Sequence, residues 1–254
     1  MSNHFLNSPG LSHANQKLVL SAWARSLALE PEVLHRANHE HRRGLQRFEI
    51  VADHELDDWD PNTATFIQLF NISLLYGPSW FLKAARDIDD DVLALETTML
   101  QLGYRQGARS LGEDVLYYAE DIPYYDDAQF NVTSHSRDVR RLEATCPPDD
   151  ITTLPLDALD HYFTIAPFQE QSTPIAGAGY DIFSDTVGQL AVLVSGPQRG
   201  NGFGTFVLAR VAEECMFDGL IPQWVTAVGD EICEKMANDV GFILSGYRTS
   251  VTFD

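Results

Sequence analysis

Apolar residues recur at helical spacing through Gln16–Leu29 (QKLVLSAWARSLAL), where Leu18, Ala22, Trp23 and Leu27 predict one buried helix face. Pro31 opens a second helical piece, PEVLHRANHEHRRG, closed by Gly44. Phe48–Val51, TATFIQLF (63–70) and ISLLY (72–76) read as strands, the last two joined near Asn71. Pro78 and Ser79 open the helix SWFLKAARDI. The stretch 89–102 (DDDVLALETTMLQL) predicts one further helix, with acid at its start where the dipole favours it. VLYYA (115–119) is a strand.

Residues 121–135 (DIPYYDDAQFNVTSH) carry little periodicity and predict a junction, dividing the chain into 1–130 and 131–254. Beyond it, SRDVRRLEA (136–144) reads as a helix with Ser136 as N-cap, and 147–159 as a turn and a short helix. PIAGAGY (174–180) and GQLAVLV (188–194) read as strands. A helix over 202–217, a strand over 221–226, a helix over 230–240 and closing strands over 242–244 and 247–253 complete the chain. This order predicts an α+β fold, layered in the α/β manner, with a mixed β-sheet flanked by helices.

Composition narrows the function. The 254 residues are 44% hydrophobic and 21% charged, enough apolar content for a large core and too little charge for disorder. The net charge of −20 argues against nucleic-acid binding and favours a cationic partner. An acid excess also serves solubility alone. Three scattered cysteines, Cys146, Cys215 and Cys233, rule out a disulfide scaffold. The apolar runs are too short to span a membrane, and MSNHFLNSPGLSH lacks the basic and apolar regions of a secretory signal. A cytoplasmic setting is therefore expected.

The segment from Val192 to Ala209, VLVSGPQRGNGFGTFVLA, runs from an apolar strand through a proline turn into Arg199-Gly200-Asn201-Gly202-Phe203-Gly204 and then a helix. Glycines let ligand oxygens approach the backbone, and the first N–H groups of a helix lack internal partners. Together with the dipole these groups suit a phosphate or diphosphate. The simpler alternative is a glycine-rich turn that only starts a helix. Arg199 adds charge to an anion site or braces the loop. A P-loop is excluded because no GK[ST] follows, a dinucleotide fingerprint because Thr205 falls where its third glycine belongs, and a kinase by its missing partner motifs.

Residues 199–204 match [QR]-x-x-G-x-[GA], and here the chain resembles the GCN5-related N-acetyltransferase superfamily. The resemblance covers about residues 136–254. Trp224, Ala237, Gly241 and Phe242 keep the spacing of a family subset in which Asp230 replaces Asn and Cys233 replaces Ser. The N-terminal half resembles an accessory region of some bacterial members, around Trp23 and Tyr117. The resemblance implies an acyltransferase with acetyl-CoA as acyl donor and a small-molecule primary amine as acceptor, the acid excess favouring a cationic one. It implies that Val192, Leu193 and Val194 face the pantetheine arm, one backbone N–H of this strand polarising the thioester carbonyl. It also implies that Arg199, Gly200, Asn201, Gly202, Phe203, Gly204 and Thr205 cradle the diphosphate, with Asp230 and Cys233 near the cofactor; by position alone Asp230 reads first as the N-cap of the next helix and Cys233 as a small core residue.

The acid and base depart from the family. Ala237 stands where many members have a proton-donating Tyr, and Gln189 lies near the place of a Glu base, yet Gln cannot take a proton. Tyr180, Tyr247, Asp230 and Cys233 are substitutes by position only, so no catalytic residue is assigned. A degenerate, non-catalytic acyl-CoA-binding or regulatory protein is the alternative. Elsewhere, His35, His39 and His41 lack a well-placed further metal ligand, and Arg36, Arg42 and Arg43 crowd them with like charge. Asp89–Asp91 reads as a solvated helix start, and Ser195 lacks a nucleophile-elbow setting. Tyr117, Tyr118, Tyr124 and Tyr125 fit packing at the junction better than a substrate cleft.

Overall fold

The structure is a computed structural model and describes residues 10–39, 46–52, 56, 59–123, 129–151, 155–168 and 172–254. His41, Arg42, Arg43, Gly44, Tyr124 and Tyr125, which figure in the sequence reading, lie outside the described residues. The chain divides into two compact units: 10–117 with 225–230 and 244–254, and 118–224 with 231–243.

The first unit opens with helices α1 (His13–Ser26) and α2 (Pro31–His39). Ser12 caps α1 by accepting the Asn15 N–H at 3.4 Å. The buried face of α1 is Val19, Leu20, Ala22 and Trp23, while Leu18, expected inside, is 47% exposed. Asn38 of α2 donates to Gln16 Oε1 at 3.0 Å, and its own Oδ1 accepts the Asn71 N–H at 3.1 Å. This buried amide joins the helical pair to the β2–β3 turn. Strand β1 (Gln46–Val51) runs parallel to β3 (Ile72–Gly77), which forms an antiparallel hairpin with β2 (Thr63–Leu69).

Helix α3 (Ser79–Ala85) follows β3. The single helix expected over 89–102 is instead two, α4 (Asp90–Leu93) and α5 (Glu96–Gly103). Leu95 between them is extended, and the Glu113 carboxylate of β4 (Arg109–Tyr118) accepts the Glu96 N–H at 2.8 Å. A distant acid thus caps α5 and offsets the cost of the break. The closing strands likewise form one element, β10 (Ile243–Thr252), antiparallel to β2. Strand order in this unit is β1-β3-β2-β10-β4.

The second unit contains two strands absent from the sequence reading, β5 (Phe130–Thr133) and β6 (His161–Pro167). Between them lie α6 (Ser136–Glu143), α7 (Pro148–Ile151) and a 3-10 turn, Leu156–Ala158. Ser136 does not cap α6. His135 holds the cap position, and Ser136 Oγ lies 3.1 Å from the Tyr162 hydroxyl. Then come β7 (Ala176–Phe183), β8 (Val187–Val194), α8 (Phe203–Phe217), β9 (Ile221–Ala227, of which 221–224 belong here) and α9 (Glu231–Val240). The order is β9-β8-β7-β6-β5, with β8 and β9 parallel and the other pairs antiparallel.

The pleat sends alternate residues of β8 to opposite layers. Ala191 and Leu193 pack with Val139, Leu142, Leu156 and Leu159 of the α6 layer. Gly188 and Val194 approach α8 instead: a Cβ on Gly188 would lie 2.3 Å from Cys215 Sγ, and Val194 Cγ2 is 3.5 Å from the Cβ position of Gly204. The expected class, a mixed sheet flanked by helices, is therefore the observed one. No helix among the described residues is long and apolar enough to cross a membrane.

Candidate functional site

Strands β8 and β9 pair in parallel only at Val187↔Ile221, Gly188↔Pro222 and Gln189↔Gln223. Strand β8 nevertheless continues to Val194, paired on its other edge with β7 as far as Ala176↔Val194. Past Gln189, then, the β9-facing edge of β8 has no ladder partner among the described residues. A strand edge of this kind offers N–H and C=O groups to an extended, amide-bearing ligand. Val192, Leu193 and Val194 all lie on this stretch.

The chain leaves β8 through a 3-10 turn, Gly196–Gln198, and reaches α8 by way of Gly200 and Gly202. Their φ values are +78° and +83°, a left-handed backbone that glycine adopts without steric cost. Gly202 is the N-cap of α8, with no side chain capping it, and the first intrahelical bond runs from the Phe206 N–H to the Gly202 carbonyl at 3.0 Å. The N–H groups of Phe203, Gly204 and Thr205 precede it in the helix. A Cβ on Gly200 or Gly202 would meet nothing within 4 Å, so an anion has room to approach. Backbone donors, dipole and open space together fit a diphosphate.

Local bonds and residues distant in sequence together hold this loop. The Gly196 N–H donates to Thr145 O at 3.2 Å, and Asn201 Nδ2 to Gln198 O at 3.1 Å. Arg199 Nε reaches Val194 O at 3.4 Å, while its Nη2 donates to the Asp150 carboxylate. Both bonds brace the loop. Met236 of α9 backs Gly204, with Cε 3.1 Å from the Cβ position. Phe130 packs edge-on against Phe203, centroids 6.0 Å apart, and against Phe206 at 5.2 Å. Asp150, Thr145, Met236 and Phe130 had no signal in the sequence, because each meets the loop only through tertiary packing.

Asp230 immediately precedes α9 and belongs to the first unit. Cys233 is half-buried on α9, and its carbonyl accepts the Trp224 indole N–H at 3.4 Å. Ala237 is fully buried. Gln189 is half-buried at the last paired position of β8. Its neighbour Gln223 is buried and donates to the Tyr118 hydroxyl at 2.6 Å. Neither amide can exchange a proton as an acid or base.

Tyr180 is not brought to the loop. Its hydroxyl donates to the Asp218 carboxylate, its ring stacks on His161 at 4.7 Å, and burial followed by the Asp218 contact pushes the phenol well above its ordinary range. Asp218 ends α8 whereas the loop begins it, and a helix of this length spans about 20 Å. Tyr247 lies on β10. The remaining candidates have structural partners. Asp90 binds Arg47, and His35 Nε2 lies 3.0 Å from both Lys17 O and Ser21 Oγ. His39 stacks on His13, and no group of three or more potential metal ligands occurs among the described residues.

A cavity of about 830 Å³ opens at the start of α6, lined by His135, Ser136, Arg137, Asp138 and Arg141, well separated in sequence from the glycine loop. Its Arg141 and Asp138 pair with each other at 3.1 Å. The loop is the stronger candidate because a backbone cradle grips an anion at the surface and needs no enclosed cavity.

No family model matches the chain, and no curated protein does. Among solved structures, a Drosophila protein is similar over 97% of this chain and 98% of its own, at 12% identity and a TM-score of 0.52. A GCN5-related N-acetyltransferase-like protein from Streptococcus suis aligns over 96% and 100%, at 16% identity and a TM-score of 0.49. An acetyltransferase of the GNAT family from Colwellia psychrerythraea aligns over 61% of this chain at 15% identity and a TM-score of 0.44, and the chain spans only 60% of that protein. The first of these likenesses concerns the fold alone.

Proposed function

We propose that this chain is an acyl-CoA-dependent N-acyltransferase that moves an acetyl group from acetyl-CoA to the primary amine of a small, cationic acceptor. The observation that carries the reading is the sequence of features along β8: parallel pairing that stops at Gln189, an edge through Val194 without a ladder partner among the described residues, and a left-handed glycine cap on α8. The resemblance read from residues 199–204 and from Gly241-Phe242 points the same way.

In this reading the edge of Val192, Leu193 and Val194 holds the pantetheine arm by backbone hydrogen bonds. The segment from Arg199 to Thr205 receives the diphosphate through its N–H groups. When bound, acetyl-CoA supplies an activated acyl thioester. A β8 N–H then polarises the thioester carbonyl, the transition-state contribution expected of a fixed backbone donor. Cys233, in the same unit as the cradle, is the further cofactor-side residue that the resemblance implies. Since Gln189 and Ala237 offer no proton transfer, the acceptor must arrive as the free amine, and the rate should climb with pH toward the amine's own pKa. The acidic chain draws a cationic acceptor to its surface.

A second reading, a non-catalytic acyl-CoA-binding or regulatory protein, is favoured by the fully buried Ala237 and by Tyr180 being tied to Asp218. Thermal melting with and without acetyl-CoA, followed by thiol release over an amine panel, separates the two. Stabilisation with thiol release supports the enzyme, and stabilisation without it supports the binding protein. No response to any acyl-CoA overturns both.

A further inference from the structure

We propose that Asp150 is an internal competitor for the diphosphate site: its carboxylate holds Arg199 in the free protein and weakens the binding of diphosphate esters. The inference rests on the cradle reading above and adds a residue to it.

Arg199 lies between the end of β8 and the two left-handed glycines, the one arginine of the 199–205 segment. It does not project unengaged toward the cradle. Its Nε is directed to Val194 O at 3.4 Å and its Nη2 to Asp150 Oδ2. Asp150 comes from α7, and a second bond ties the same regions together, from the Gly196 N–H to Thr145 O at 3.2 Å. Cys146 Sγ adds a contact to Val194 O at 3.6 Å. The stretch from Thr145 to Asp150 is thereby fastened to the approach of the loop at three points.

The charge balance is unusual for a site that receives an anion. The α8 donors are backbone groups, and the nearby guanidinium is already neutralised by a carboxylate. A diphosphate carries about two negative charges, so Asp150 opposes it directly and also occupies a donor edge of Arg199. The pair is not deeply buried, with side-chain exposures of 49% and 32%, so solvent screens it and an incoming anion can displace it. Asp150 thus lowers affinity for diphosphate esters, and Arg199 contributes fully only when Asp150 has yielded.

The test measures binding of coenzyme A and of inorganic pyrophosphate by calorimetry at low salt, using the whole chain and the variants Asp150→Asn, Arg199→Gln and the double substitution. An exposed pair of this kind is worth roughly a two- to fivefold change in binding. Asp150→Asn is expected to tighten both ligands by about that factor, with the gain shrinking at high salt. Arg199→Gln is expected to weaken binding more when combined with Asp150→Asn than when introduced alone. Unchanged or weaker binding in Asp150→Asn overturns the inference, because Asp150 would then be neutral or would position Arg199. Failure of the unsubstituted protein to bind coenzyme A at all would instead overturn the cradle reading. Melting without ligand checks that each variant folds.

Discussion

Helix α8 carries its own control for the cradle, because a left-handed glycine stands at each end. Gly202 begins the helix with φ +83° and Gly219 follows its end with φ +81°. A Cβ on either would meet nothing within 4 Å. Alanine at each position therefore suffers the same penalty, the left-handed backbone alone, of about 1–2 kcal/mol. For a chain of this size that lowers the melting temperature by roughly 2–8 °C. The two variants should melt alike without ligand and differ only with it.

With coenzyme A at about 100 times Kd, binding stabilises the folded protein by roughly 2.7 kcal/mol, or about 5–10 °C. Gly219→Ala should keep this whole shift. Gly202→Ala places a methyl group where an anion approaches, and relief of the strain turns the first N–H groups of α8 aside. Loss of even one charge-assisted hydrogen bond costs about 1.5–3 kcal/mol, tenfold or more in affinity. Paired melting curves and calorimetric titrations provide the measurement. Equal coenzyme A shifts in the two variants would refute the cradle, however similar their stabilities.

Three further predictions concern the support of that helix. Burial pushes the Cys215 thiol up to about 12, so the unfolded chain gives up this proton first as the medium turns alkaline. Stability is then complete below about pH 9 and falls as pH rises toward 12, by up to about 1.4 kcal/mol per pH unit from this group; urea melts of Cys215→Ala should show a shallower alkaline decline, and an unchanged slope would count against the assignment. Gly188→Ala should destabilise by about 1–3 kcal/mol, because its Cβ would lie 2.3 Å from Cys215 Sγ but 3.6 Å from Cys215 Cβ. Adding Cys215→Ala should restore much of the loss, and absence of rescue in chemical denaturation would reject the steric account. Tyr180→Phe should cost about 1–3 kcal/mol by removing the bond to Asp218 yet leave the pH profile of the proposed acetyl transfer unaltered; a displaced profile would return Tyr180 to the list of proton donors.

Legibility tracked how local each feature is. Helix α8 and its glycine approach could be read from consecutive residues, because φ preferences and unpaired N–H groups belong to the chain itself. The hairpin of β2 and β3 was visible for the same reason, as two apolar runs with a short turn. Strands β5 and β6 were missed: Phe130–Thr133 is short, and His161 and Thr164 interrupt the apolar pattern of a strand whose neighbours complete it. The break between α4 and α5 was hidden because its cap is the side chain of Glu113, on another element.

By itself the sequence determined the α+β class, the strand–loop–helix segment around Gly200 and Gly202, and the lack of an acid or base at positions 189 and 237. All of these are properties of neighbouring residues or of residue identity. The tertiary structure alone decided that Arg199 faces Asp150, that Tyr180 is anchored at the far end of α8, and that 244–254 pack with the N-terminal unit. Such outcomes depend on which distant surfaces bury one another, and that competition among long-range contacts is not written in any local stretch of chain.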